Sequence, residues 1–303
     1  MRGISAWTTS TLLTVAALVT AHGEPNLKHE HAGDVFRKLH RKQCYLDGPA
    51  SNGSSLGEYR TVDGVDLYIA HPPSRHHKKT KTTPPAIIYL TDIFGVQLLN
   101  NRLLADAFSK AGYLTIIPDL FRGDPVPANA LSNPNSNFNI SEWQTRHPAS
   151  EIESIITSTF QTTVSEYGIP TSKIGAVGYC FGGKYVAKYL SSNSTRGNLT
   201  FAAGFTAHPS NTLPSEWEAI ENPISIAFGE LDASSTPENR TNIEGIFIEG
   251  NKTFQTNLYA DAEHGFAVRT NLTDPKKRFA QESAYLQAVR WFDQWVKEDE
   301  DDE

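Results

Sequence analysis

The sequence predicts an α/β fold: a doubly wound, mostly parallel sheet of about seven or eight strands with helices on both faces. Three observations carry this prediction. Short runs rich in Val and Ile alternate with longer stretches of helical period. Runs such as Ala86-Ile87-Ile88-Tyr89-Leu90 are apolar at nearly every position, as strands buried on both sides require. The chemically capable residues Cys180, Asp232 and His264 fall just after such runs, where open parallel sheets build their sites.

The N-terminus precedes that pattern. Arg2 is followed by the apolar run Leu12–Val19, and Val19-Thr20-Ala21 supplies small residues suited to a cleavage site. Residues 1–21 therefore read as a signal peptide, and the apolar run is too short for a membrane anchor. Seven Asn-x-Ser/Thr sequons, at Asn52, Asn139, Asn193, Asn198, Asn239, Asn251 and Asn271, agree with a secreted glycoprotein. A polar, His-rich extension covers 22–43, the folded domain 44–297, and an acidic tail 298–303.

Within the domain, strands are expected at Val65–Ala70, Ala86–Thr91, Leu114–Pro118, Ile174–Tyr179, Phe201–Ala207, Ile224–Gly229 and Phe254–Tyr259. Helical patterns lie at roughly 97–111, 149–167, 182–191, 237–247 and 276–297. Trp291 and Trp295, four apart on the last helix, are expected to be core contacts. The segment from Arg122 to Trp143 is rich in Pro, Asn and Ser, and reads as a long loop over the sheet edge, a candidate lid.

Composition excludes several function classes. The net charge is -7, and no cluster of Lys and Arg is interleaved with aromatics, so nucleic acid is not an expected partner. Lys78, Lys79 and Lys81 read as a solvated loop. The pairs His29/His31 and His76/His77 lack companion Cys or acid spacing, so no metal site is expected, and no cofactor is implied.

The chemistry concentrates at Gly178-Tyr179-Cys180-Phe181-Gly182-Gly183, between a strand and a helical pattern. A nucleophile on a strained strand-to-helix turn needs small neighbours two residues away, and Gly178 and Gly182 meet that need. The helix N-terminus favours thiolate, and the Phe181 N–H would point at a developing oxyanion. Asp232 and His264 follow in the chain order such sites use, each after a strand. His264 would take the thiol proton or hold it as an ion pair, and Asp232 would fix the imidazole tautomer. Glu230 is the rival acid. His208 ends the strand after the nucleophile and reads as structural, with lining of the pocket as the alternative.

Together these residues resemble the dienelactone hydrolase family of the α/β-hydrolase superfamily, in particular its fungal members, from about Cys44 to Val296. Thr91-Asp92-Ile93-Phe94-Gly95-Val96 and Pro118-Asp119-Leu120-Phe121-Arg122 are similar to the family's first two sheet loops. Gly178 to Gly183 resembles its Cys elbow, and His264-Gly265-Phe266-Ala267 its His loop. The opening Gln43-Cys44-Tyr45-Leu46-Asp47-Gly48 is similar to fungal relatives and implies a structural Cys44.

The resemblance implies an α/β-hydrolase fold and hydrolysis of a small-molecule ester or lactone through a thioester on Cys180. It implies that Ile93 donates the second oxyanion N–H. It also implies that a carboxylate holds the resting thiol; that position is Asp92, one methylene shorter than the family's Glu. An Arg after the His binds substrate in bacterial members. Arg269 is the nearest candidate, one residue further along than the pattern, and Arg122 and Tyr179 are weaker substrate contacts. Two other readings stay open: a catalytically silent binding protein on the same fold, and a redox protein in which Cys44 pairs with Cys180.

Overall fold

The computed structural model describes residues 54–73, 83–128, 130–131, 136–191, 197 and 199–297. The leader at 1–21, the extension at 22–43, Cys44, His29, His31, His76, His77, Lys78, Lys79, Lys81, the sequons at Asn52, Asn193 and Asn198, and the tail at 298–303 lie outside the described residues. Among the described residues, no helix is long and apolar enough to cross a membrane.

Eight strands form one sheet in the order β1-β2-β4-β3-β5-β6-β7-β8. They are β1 (Glu58–Val62), β2 (Val65–Ala70), β3 (Ala86–Leu90), β4 (Leu114–Pro118), β5 (Ile174–Tyr179), β6 (Gly204–Ala207), β7 (Ile224–Gly229) and β8 (Phe254–Tyr259). β1 and β2 are antiparallel to their neighbours, and every other pairing is parallel. The expected doubly wound sheet is therefore present, extended by one antiparallel hairpin.

The strand absent from the sequence expectation is β1. Four of its five residues are exposed, so no apolar alternation marks it. It forms because Asp63 and Gly64 adopt φ of 49° and 74°, the left-handed pair of a two-residue hairpin turn.

Among the described residues, seven helices cover the faces: α1 (Leu99–Lys110), α2 (Ile140–Arg146), α3 (Ala149–Ser165), α4 (Phe181–Tyr189), α5 (Pro214–Glu218), α6 (Pro237–Glu249) and α7 (Pro275–Phe292). Alternation along β3 separates two cores. Ala86, Ile88 and Leu90 face α2 to α6, whereas Ile87 and Tyr89 face α1 and α7. The first core is anchored by Trp143, Phe160 and Trp217, the second by Phe108, Tyr285 and Phe292.

The segment from Arg122 to Trp143 is not loop throughout. Val126 N–H donates to Ile93 O (2.9 Å), and buried Trp143 donates Nε1–H to Asp124 O (2.8 Å). Its far end is helical: the Asn139 side chain accepts from the N–H groups of Ser141 and Glu142 and starts α2. Burial of one Trp on a single short turn leaves too little period to read from sequence.

The two tryptophans of the last helix also part company. Trp291 is buried, but Trp295 is 40% exposed: α7 gives way to a π-turn at Asp293–Lys297 in which Gln294 and Trp295 point outward while Val296 stays in the core. Phe292 sits between Phe108 and Tyr113 and against Gly175, where a Cβ would lie 2.9 Å from its ring. Phe292→Ala is therefore expected to cost about 3–5 kcal/mol, and Trp295→Ala well under half of that, in urea unfolding. Equal losses for the two would contradict this packing.

Candidate active site

β5 ends in the middle of the sheet, and the chain turns there straight into α4. Cys180 is the turn residue, with φ 51° and ψ -111°, a conformation L side chains rarely adopt. The turn is tight because α4 starts against β3. A Cβ on Gly182 would lie 2.1 Å from Leu90 O, and one on Gly178 would lie 2.6 Å from Gly182 O. Gly182 N–H donates to Thr91 O (3.1 Å) and Cys180 N–H to Ala207 O (3.2 Å), so neighbouring strands hold both ends of the turn.

Cys180 is a free thiol, 7% exposed, at the N-terminus of α4. The N–H groups of Phe181 and Ile93 have no acceptor among the described residues.

The acid and imidazole arrive from the next two loops. His264 Nδ1 and Asp232 Oδ1 are 2.9 Å apart, and Asp232 Oδ1 also accepts from Ser234 N–H (2.8 Å). The two loops are stitched by Leu231 N–H to Ala262 O (2.9 Å). Gly229 permits that approach, since a Cβ there would lie 2.4 Å from Ala262 O. Glu230 accepts from Asp261 N–H (2.9 Å) and so braces the His loop rather than the imidazole.

With Nδ1 occupied by Asp232, Nε2 is left for the sulfur. Burial disfavours the charged imidazole, but hydrogen bonds to Asp232 and Cys180, with their charges, outweigh it and raise His264 from 6.5 to about 10. The structure thus brings Cys180, His264 and Asp232 together.

Asp92 is placed differently from the resemblance. It is fully buried; Oδ1 accepts from Phe94 N–H (3.2 Å) and Asn101 Nδ2 (3.1 Å), and Oδ2 from Arg269 Nε (3.1 Å). Burial raises its pKa, and the Arg269 charge and these hydrogen bonds act against that rise. Its partners among the described residues do not include the thiol. Arg269 lies over the Phe94 ring, 4.6 Å from its centroid. Arg122 is engaged by Glu151 (2.6 Å) and by Gly64 O (2.9 Å). Tyr179 is packed in the core against Tyr89 and Phe205, so it presents no open surface to a substrate.

Of two further residues here, Ser210 is not singled out by the sequence, and His208 reads there as structural with pocket lining as the alternative. Ser210 Oγ lies 3.5 Å from Cys180 Sγ. His208 is fully buried with neither ring nitrogen hydrogen-bonded, and its ring meets His264 edge-on at 5.2 Å. Burial, and then the charges of His264 and Arg269, push it well below 6.5, so it is neutral. The signal available was position: both follow the strand beside the elbow strand. Among the described residues, no group of three or more His, Cys, Asp or Glu could hold a metal ion.

Two outcomes are expected. Between pH 6.5 and about 10 the folded protein keeps a proton on His264 that the unfolded chain has released. Its contribution to stability is therefore complete below 6.5 and is lost as pH rises through about 10. The melting temperature should fall across that window, and His264→Gln should flatten the fall; parallel curves would contradict it. Arg269→Ala should cost about 3 kcal/mol by leaving Asp92 buried and unpaired, and adding Asp92→Asn should recover most of the loss. No recovery in the double variant would mean the pair is not what holds these loops.

The dienelactone hydrolase family model matches residues 73–296. The chain is 39% identical over 255 residues to the hydrolase pyvD of Aspergillus violaceofuscus, covering 84% of this chain and 97% of that one. It is 30% identical over 257 residues to dienlactone hydrolase 1 of Gibberella moniliformis, covering 84% and 93%. A crystal structure of a putative dienelactone hydrolase from Klebsiella pneumoniae shares the fold, with TM-score 0.61 at 18% identity over 80% of this chain and all of that one. The extent of the family match and the identity to fungal hydrolases place the chain in the dienelactone hydrolase family, as a hydrolase of the ester- or lactone-cleaving type.

Proposed function

We propose that the protein cleaves a carboxylic ester or lactone by covalent catalysis at Cys180, with His264 and Asp232 completing a triad. The observation that carries this reading is one imidazole bonded through Nδ1 to a buried carboxylate (2.9 Å), with its pKa also raised by the Cys180 thiol at a strand-to-helix elbow.

Burial disfavours the charged imidazole, but Asp232 and Cys180 raise His264 to about 10, which makes it a ready acceptor for the thiol proton. The thiolate adds to the acyl carbon, and the carbonyl oxygen takes the negative charge toward the N–H groups of Ile93 and Phe181. Collapse breaks the ester C–O bond, and the His264 proton goes to the leaving alkoxide. Neutral His264 then takes a proton from water as hydroxide attacks the thioester. The C–S bond breaks, the carboxylic acid leaves, and the ion pair is restored.

The substrate is read as uncharged near the reacting group. Arg269 is partnered by Asp92 and Arg122 by Glu151, so neither cation is free to receive a carboxylate without breaking a pair. Exposed Asn139, Asn239, Asn251 and Asn271 support glycosylation of a secreted chain.

Cys180→Ala should abolish hydrolysis of neutral aryl esters and lactones while the melting temperature stays close to the parent's. His264→Ala should lower kcat by roughly a hundredfold or more. Esterase activity retained in the Cys180→Ala protein would refute the covalent mechanism, and tight ligand binding without turnover in the parent would favour a binding protein instead.

A further inference from the structure

The family pattern assigns the resting thiol to a carboxylate, yet in this chain that carboxylate is already taken. Both oxygens of Asp92 are occupied, one by Phe94 N–H and Asn101, the other by Arg269. The sulfur has a different neighbour. Ser210 is tied to Cys180 twice: its N–H donates to Cys180 O (3.2 Å), and its Oγ lies 3.5 Å from Sγ.

The loop that holds Ser210 is built for that placement. His208 and Asn211 have φ of 42° and 54°, so the chain doubles back on both sides of Pro209-Ser210. His208 N–H donates to Ala227 O (2.9 Å), and the Lys184 side chain donates to Asn211 O (2.8 Å), anchoring the loop to β7 and α4. Left-handed backbone at two non-glycine residues is costly and persists only where surroundings enforce it. The enforced result here is a hydroxyl at the nucleophile.

The geometry points to Ser210 as the hydrogen-bond donor that stabilises the Cys180 thiolate, in the role the family gives to a carboxylate but with opposite electrostatic effect. This rests on the reading of Cys180 as the nucleophile. A carboxylate beside sulfur favours the protonated thiol, whereas a hydroxyl can donate to the anion and hold it ready. The other ionisable groups gathered at this end of the sheet are His264 with Asp232 behind it, neutral His208, and the Asp92–Arg269 pair. Among these, His264 supplies the positive charge and Ser210 a neutral donor on a second loop. The nucleophile is thereby kept in its reactive form before substrate arrives.

The test is the pH dependence of iodoacetamide alkylation at Cys180, followed by mass spectrometry on the Cys180 peptide of the full chain so that Cys44 is read separately. In Ser210→Ala the apparent pKa of alkylation should rise by about one unit. At a pH below that pKa, kcat/KM should fall about tenfold with KM changed less than about twofold. Ser210→Thr, which keeps the hydroxyl, should restore both, and circular dichroism should match the parent for each variant. An unchanged or lowered alkylation pKa in Ser210→Ala, with Cys180 still reactive, overturns the donor role alone. A parent whose Cys180 resists alkylation at neutral pH and hydrolyses no ester overturns the nucleophile itself, and the donor role with it.

Discussion

Everything at the site depends on how closely the start of α4 approaches the end of β3. Only hydrogen fits at Gly182, because any Cβ would sit 2.1 Å from Leu90 O. The same approach lets Gly182 N–H reach Thr91 O, which locks the loop carrying Ile93 to the turn carrying Phe181. One backbone contact therefore forces Cys180 into a left-handed conformation, lifts its sulfur out of the sheet, and joins the two loops with free N–H groups. The strain is local, and the parallel pairing of β3 and β5 on either side of it holds the ends in place.

Charge at this end of the sheet is arranged in pairs. Two buried carboxylates each have one cation: Asp232 has His264 and Asp92 has Arg269. Each pair joins two different loops, so electrostatics here also sets loop geometry. His208, wedged between them, adds no charge because burial and its cationic neighbours keep it neutral. Its ring packs edge-on against His264, with Phe266 and Tyr179 completing the packing around it. A charged group in its place would compete with Asp232 for the imidazole.

Two departures from the family pattern become one feature in three dimensions. The acid in the first loop is one methylene shorter than expected, and the arginine after the histidine is one residue further along. Separately each is a departure at its own position. In the fold they meet, at 3.1 Å, within a network that continues through Asn101 to the Tyr89 hydroxyl. The shorter side chain is held at the arginine, and the displaced arginine is held over Phe94.

The sequence by itself determined the architecture, because buried parallel strands write long apolar runs that side-chain chemistry cannot disguise. It also carried Cys180, Asp232 and His264, since each must sit at a strand end in a fixed chain order, and glycine spacing marks the elbow. It left β1, α2 and α5 unmarked: an exposed edge strand and helices of seven and five residues bury too little to impose a period. Only the tertiary structure decided which carboxylate meets which cation and which hydroxyl meets the sulfur. Those contacts, Asp92 with Arg269 and Ser210 with Cys180, join residues 177 and 30 positions apart. Pairing over such separations is set by where loops are carried by the strands beneath them, and no local pattern encodes it.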